Sequence, residues 1–284
     1  MTALAAEFGG SVKAEVLKLR KRPSTWVLAL IIFLFVVVLD YLLSYLVYKT
    51  APRRFGGSGM SLRNLITNLY PINFVRYSLN DVYTIGAAIA VIFGALSMSS
   101  EYEWRTLRTV LAQAPGRLTV LAAKVAVLVP VAGIFSILVM GGAALSSLFV
   151  GSLDGHVGSW PAASEVIGGV LAAWLLLSVW VSFGLLLGVL IRQTGMAIAA
   201  GLVYIIVVEG LILGLLGTNG VIEAIKKIFP GANARALGLS FGRLTSSSAA
   251  PLVGAGQAVL VLFGYLLLFI GIAALLLRRR DVAS

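Results

Sequence analysis

Residues 24–48, STWVLALIIFLFVVVLDYLLSYLVY, form an apolar run in which Asp40 is the only charged residue. A helix of about 20 apolar residues crosses the hydrocarbon core of a bilayer. The run is longer than the apolar part of a secretory signal peptide, and no small-residue cleavage site follows it. We expect a retained transmembrane helix.

Five further runs of this kind lie at 82–98, 120–149, 165–191, 195–217 and 251–277. The chain is 60% hydrophobic and only 12% charged, whereas soluble domains carry about 25% charged residues. The sequence therefore predicts an all-α polytopic membrane protein with six transmembrane helices in one domain over residues 1–284. Pro130 lies inside the third run, where we expect a kink.

The placement of lysine and arginine predicts that both termini are cytoplasmic. This orientation puts thirteen of the 22 basic residues inside and nine outside. The clusters Lys18–Arg22 and Arg278–Arg280 directly abut the first and last spans, where the positive-inside rule has most weight. We interpret the net charge of +11 as basic ends facing anionic lipid in the plasma (inner) membrane, with no nucleic-acid partner.

Three amphipathic segments lie outside the spans. Over residues Ala6–Arg22 apolar residues recur on one face, which predicts a helix lying in the inner headgroup layer. Two shorter stripes, stopped by Pro71 and Pro230, predict helices that dip into the outer leaflet. The apolar residues of the three stripes are Phe8, Val12, Val16 and Leu19; Leu62, Leu65, Ile66 and Leu69; and Val221, Ile222, Ile225, Ile228 and Phe229.

Residues 99–124, SSEYEWRTLRTVLAQAPGRLTVLAAK, interrupt the apolar runs with two glutamates and several basic residues. On a helix over Glu101–Ala114, Glu101, Arg105 and Arg108 form a charged ridge, and Leu107, Val110, Leu111 and Ala114 share another face. Pro115-Gly116 ends this helix. Charge alone favours a solvated loop that obeys the positive-inside rule.

This segment resembles the cytoplasmic segment of ABC-2-type exporter permeases. Glu101 and Glu103 fill the acidic positions, Thr106-Leu107-Arg108 the core, and Pro115 and Lys124 also fit. Two departures are the tighter spacing of Pro115 to Arg117 and the presence of Arg105 where the family often has Gly. The stretches AEVLKLRKRPSTWVLAL (14–30) and FPGANARAL (229–237) resemble the family's approach to its first span and its motif before the last span.

The resemblance implies a coupling helix that docks on a separate ABC ATP-binding subunit, present in two copies beside a second permease chain (homodimer or paralogue). It assigns this coupling role to Glu101, Glu103, Arg105, Thr106, Leu107, Arg108, Leu111 and Arg117. The sequence contains no G-x-x-x-x-G-K-[ST] phosphate-binding loop. We therefore expect ATP and Mg²⁺ on the partner subunit, no cofactor in this chain, and no enzymatic activity of the chain by itself.

Two acidic residues lie at membrane depth, Asp40 in the first span and Glu209 in the fifth. A carboxylate at the bilayer centre costs about 2.5–3.5 kcal/mol, so each is expected to face protein or a wet cavity. Both are candidates for the translocation pathway, paired with Arg76, Lys226 or Arg235. For Asp40 we favour snorkelling to the interface over that role, and for Glu209 we favour the pathway. We also predict an outer gate formed by Phe229, Pro230, Asn233 and Arg235.

Other motifs carry less information. The chain has no cysteine, and its single histidine, His156, has only Asp154 near it in sequence, so no metal site is predicted. Gly184-x-x-x-Gly188 and Gly210-x-x-x-Gly214 permit close approach of helices, and the second is a candidate for the dimer seam.

Three classes of function remain open from sequence. The leading one is an exporter that moves an amphipathic or apolar substrate outward, favoured by the short outer loops. An alternative is a non-transporting membrane anchor that converts ATP hydrolysis into mechanical or assembly work. The third, an intramembrane enzyme, requires paired carboxylates or a histidine cluster on facing spans.

Overall fold

The computed structural model describes residues 2–50, 62–104, 116–211, 220–242 and 251–279. These residues form helices joined by short turns, with no strand among them, so the predicted all-α class is confirmed. In chain order the helices are α1 (Thr2–Lys21), α2 (Pro23–Thr50), α3 (Leu62–Leu69), α4 (Pro71–Glu103), α5 (Arg117–Leu153), α6 (Ala163–Ile191), α7 (Thr194–Glu209), α8 (Gly220–Ile228), α9 (Pro230–Leu239) and α10 (Ala255–Arg279).

Five of these helices are long and apolar enough to cross a membrane: α2, α4, α5, α6 and α10. They correspond to the first, second, third, fourth and sixth predicted runs. The predicted fifth span begins as the shorter apolar helix α7, and residues 212–219 lie outside the described residues. The count of six spans therefore stays a prediction.

The helix that contains the second predicted span is longer than the apolar run. The run covers 82–98, whereas α4 starts at Pro71 and runs for 33 residues, with a π-helical stretch over Val82–Gly86. Polar residues such as Arg76 and Asp81, placed in the outer loop from sequence, lie on this helix, and the outer bound of the span itself stays a prediction. Polar residues do not break a helix where it leaves the hydrocarbon core, and here they extend it. Helix α5 continues through Pro130, and the kink expected there stays a prediction.

Helix α6 forms the centre of the bundle and packs against α4, α5 and α10. In its most apolar 18-residue window 78% of residues are buried, against 22% for α2 and for α10. The closest approach is between α4 and α6, where Gly94 faces the carbonyl oxygen of Val181 and Gly184 faces that of Val91. A Cβ atom at either glycine would overlap that oxygen. The Gly184 motif thus serves packing within this chain.

Helices form at all three amphipathic segments, as α1, α3 and α8. In α1, however, the predicted apolar stripe is divided: Leu19 is buried, whereas Phe8 and Val16 are exposed. The side of α1 that faces the bundle instead buries Glu15 together with Leu19. The placement of these helices in a particular leaflet stays a prediction.

Candidate functional site

Four charged side chains form a closed ring where α1 meets α4 and α5. The Nζ atom of Lys18 lies 2.6 Å from Oε1 of Glu15 and 2.9 Å from Oε1 of Glu101. The Nζ atom of Lys124 lies 2.7 Å from Oε2 of Glu15 and 2.9 Å from Oε1 of Glu101. Each lysine contacts both glutamates, so two positive and two negative charges balance. We call this group the charged ring, and this end of the bundle the α1 end.

Short-range sequence spacing helps to build the ring. Glu15 and Lys18 are three residues apart and so share one face of α1, while Glu101 lies in the last turn of α4. Lys124, in the second turn of α5, also donates a hydrogen bond to the carbonyl oxygen of Ser97 at 3.1 Å. Buried charges of this kind are tolerated when they are paired and hydrogen-bonded.

The ring keeps Lys18 charged. Burial acts to lower the pKa of Lys18, but the carboxylates of Glu101 and Glu15 outweigh that effect, and its pKa is raised above the ordinary value of 10.5. The lysine is therefore protonated throughout the physiological range.

The ring changes the interpretation of Glu101. We predicted that Glu101 begins an exposed ridge, but its side chain is only 1% exposed, so that placement is wrong. Its carboxylate instead joins three helices of its own chain. Arg117 begins α5. The other predicted coupling residues, Arg105, Thr106, Leu107, Arg108 and Leu111, lie outside the described residues, and the coupling role of the set stays a prediction.

Glu103, at the end of α4, caps the start of α7. Its carboxylate accepts hydrogen bonds from the backbone N–H of Thr194 at 2.7 Å and from the Thr194 hydroxyl at 2.8 Å. A negative side chain is favoured at a helix N-terminus because it satisfies free N–H groups. Nearby, the Arg192 guanidinium lies 5.3 Å from the ring centre of Tyr102. The last turn of α4 is thereby fixed to the turn between α6 and α7.

A pair of carboxyl groups lies toward the opposite end of the bundle, which we call the α9 end. Asp40, in a π-helical stretch of α2, lies beside Asp81 of α4, close enough for the two carboxyl groups to interact. The ring of Tyr77 packs edge-on against that of Tyr41, with 5.3 Å between ring centres, beside this pair.

The partner of Asp40 was missed from sequence. We expected snorkelling or a basic partner, and the structure gives Asp81 instead. The available signal was weak: Asp81 immediately precedes the apolar run at 82–98, and only the extension of α4 to Pro71 places it on a helix facing α2.

The second predicted pathway acid, Glu209, binds the start of α9. Its side chain is buried, and its Oε1 atom accepts a hydrogen bond from the backbone N–H of Gly231 at 2.9 Å. Gly231 follows Pro230 in the first turn of α9, where free N–H groups favour an anion. A Cβ atom at Gly231 would overlap the Glu209 carboxyl group. The structure thus joins Glu209 to the segment of the predicted gate through a backbone N–H group.

Three of the four predicted gate residues build the turn from α8 to α9. The Asn233 amide is fully buried and donates to the carbonyl oxygens of Lys227 at 2.9 Å and Phe229 at 2.8 Å. Pro230 is the first residue of α9 and is buried. Arg235 is exposed and lies on α9 beside a polar cleft.

The two ends of the bundle are separated by about the thickness of a membrane. From Glu101 to Asp81 is twenty residues of α4, or roughly 30 Å at 1.5 Å per residue, which equals the thickness of a hydrocarbon core.

No metal-binding group of three or more His, Asp or Glu residues is present in the described parts of the chain. His156 stacks on Tyr70 with 4.6 Å between ring centres.

Comparison with protein families gives an assignment that fits this architecture. The family model described as ABC-2 family transporter protein matches residues 11–282. The chain belongs to this ABC-2 family. Its members are membrane-spanning transport subunits, and membership implies partnership with an ABC ATP-binding subunit. A search of curated proteins found no match to this ABC-2 chain.

Proposed function

We propose that this ABC-2 chain is the permease subunit of an ATP-driven exporter in the plasma (inner) membrane. In this proposal the chain has six spans and cytoplasmic termini and moves an amphipathic or apolar substrate outward. A second permease chain completes the pore, and two separate subunits bind ATP and Mg²⁺. Family membership and the five spanning helices support the proposal.

The charged ring is the observation that carries the proposal. Glu101 precedes the segment 105–115 and Lys124 follows it, so both chain connections of that segment converge on one ion-pair network. Glu15 and Lys18 add α1 to the same network, and the Glu103 cap adds α7. A movement of the segment would therefore reach four helices at once, which suits a coupling element.

An apolar cavity supports the proposed class of substrate. It lies between α5, α6, α9 and α10, has a volume of about 530 Å³, and is lined by residues such as Trp174, Phe241 and Phe263. This volume is within the range of small-molecule sites, about 300–1,000 Å³. The lining suits the apolar part of an amphipathic molecule.

The Asp40–Asp81 pair supplies the facing carboxylates that an intramembrane hydrolase requires, but the space beside it is too small for a substrate. The cavity that Asp81 lines has a volume of only about 10 Å³, room for one water molecule at most. A peptide or lipid ester does not fit beside it, and transport remains the better supported function.

Activity of the purified chain tests the central claim. Alone in detergent it should not hydrolyse ATP, and from its native membrane it should co-purify with an ATP-binding subunit at equal stoichiometry. ATP hydrolysis by this polypeptide alone would overturn the proposal.

Topology is tested separately by cysteine labelling, because the chain has no native cysteine. An impermeant maleimide applied to intact cells should label a His156→Cys variant and leave a Ser284→Cys variant unlabelled. Labelling of the Ser284→Cys variant from outside would contradict the cytoplasmic C-terminus.

A further inference from the structure

Two arginines converge on one polar cleft at the α9 end. Arg76 comes from α4 and Arg235 from α9, and the same cleft is lined by Asn80 and Tyr83. Neither arginine forms an ion pair with a carboxylate of the described residues. The Glu209 carboxylate binds the N–H of Gly231, and Glu165 acts on Arg76 electrostatically without a salt bridge between them.

Among the described residues, Arg76 has few acceptors for its donor groups. It donates one long hydrogen bond, 3.4 Å from Nη2 to Oδ1 of Asn68, and its buried Nε has no hydrogen-bond partner in that part of the chain. Two guanidinium groups at one cleft repel each other, and more strongly where water is scarce. An anion bound between them would remove that repulsion, and phosphate oxygens match the planar fork of a guanidinium.

The size and the depth of the cleft limit the anion. Its volume is about 60 Å³, several times the roughly 10–15 Å³ that one water molecule needs by the same measure, so it has room for one phosphate group and is small for a nucleotide. Arg76 lies 25 residues from Glu101 along α4, or roughly 37 Å. That distance exceeds the hydrocarbon core of about 30 Å and places Arg76 in the headgroup layer opposite the charged ring.

We propose that Arg76 and Arg235 form a binding site for a phosphate group, carried by an anionic lipid headgroup or free in solution. The guanidinium groups bind the charged oxygens, and the Asn80 amide and Tyr83 hydroxyl add neutral donors at the rim. The site does not depend on the exporter assignment, because it involves neither the charged ring nor a partner subunit.

Ligand titration of the full-length chain in a non-ionic detergent provides the test. Thermal stability is followed against dioctanoyl phosphatidylglycerol, dioctanoyl phosphatidylcholine and inorganic phosphate at constant ionic strength. The anionic lipid or phosphate should raise the melting temperature at concentrations about tenfold or more below any effect of phosphatidylcholine, whose ammonium group the arginines repel. If phosphatidylglycerol stabilises the protein and inorganic phosphate does not, the ligand is the lipid headgroup. If inorganic phosphate also stabilises it, the ligand is the free anion.

Variants locate the binding to the cleft. Arg76→Gln and Arg235→Gln should each weaken it about tenfold or more, as expected for a lost charge-assisted hydrogen bond, whereas Arg235→Lys should retain part of it. Arg20→Gln, an exposed arginine on α1, is the matched control and should bind as wild type. Arg235 is exposed, so its variants should fold even where Arg76→Gln does not. Unchanged binding in Arg235→Gln, or no response of folded wild type to either anion, would overturn the proposal.

Discussion

The ammonium of Lys124 and the carboxylate of Glu101 lie 2.9 Å apart, and each side chain is 1% exposed. These two residues come from opposite sides of the 105–115 segment, so one buried ion pair closes the chain across it. Burial makes this pair sensitive to the loss of either partner, because an unpaired buried charge is far less stable than an exposed one.

Removal of the lysine should therefore destabilise the fold. Lys124→Met leaves Glu15 and Glu101 facing a single lysine, and the free energy of unfolding should fall by about 3–5 kcal/mol. Equilibrium unfolding in SDS measures the change, with Lys13→Met, an exposed lysine on α1, as the control. Adding Glu101→Gln to Lys124→Met restores charge balance and should recover part of the loss. Equal stability of Lys124→Met and wild type would contradict the role of the ring.

Gly231 should not tolerate a side chain. Gly231→Ala places a methyl group against the Glu209 carboxyl and should lower stability by about 1–3 kcal/mol, the usual effect of overpacking. Glu209→Gln retains an acceptor oxygen for the Gly231 N–H and should be milder. Gly264→Ala, which has no described atom within 4 Å of its new Cβ, is the neutral control. A fully stable Gly231→Ala would show that the Glu209 contact is not formed.

The segment between α4 and α5 is tested by charge reversal. Arg105→Glu with Arg108→Glu should leave membrane abundance unchanged, because insertion of the spans depends on their own length and apolar character. The variant should lose association with the ATP-binding subunit, since like charges at an interface cost several kcal/mol. Co-purification and ATP hydrolysis of the complex are the measurements. If the variant still associates with the ATP-binding subunit, the segment is only a loop that obeys the positive-inside rule.

Apolar runs predicted most of the fold, because a helix in lipid must be long and apolar whatever its neighbours are. Apolar runs do not show where polar residues continue a helix beyond the hydrocarbon core. The second run begins at Val82, so Asp81 and its contact with Asp40 were missed. Glu209 and the motif around Pro230 were both selected from sequence. Their contact through the Gly231 N–H was not predictable, because a backbone donor leaves no trace in side-chain patterns.

The charged ring shows the same limit from another side. Glu101 and Lys124 were both noticed, but as parts of a linear motif, whereas Glu15 was hidden in the basic leader before the first span. Three residues from separate segments meet only when α1 folds against α5, and no spacing rule covers contacts of that range.

The backbone contact at Gly94 and Gly184 determines how the protein can bear a mechanical load. With no side chain between them at this crossing, α4 and α6 have little room to tilt or rotate independently, so the two helices resist bending as one unit. A force applied at Glu103 is therefore shared with the most deeply buried helix of the bundle. The spanning helices α2 and α10 are the least buried, so they bear the smallest share of such a load.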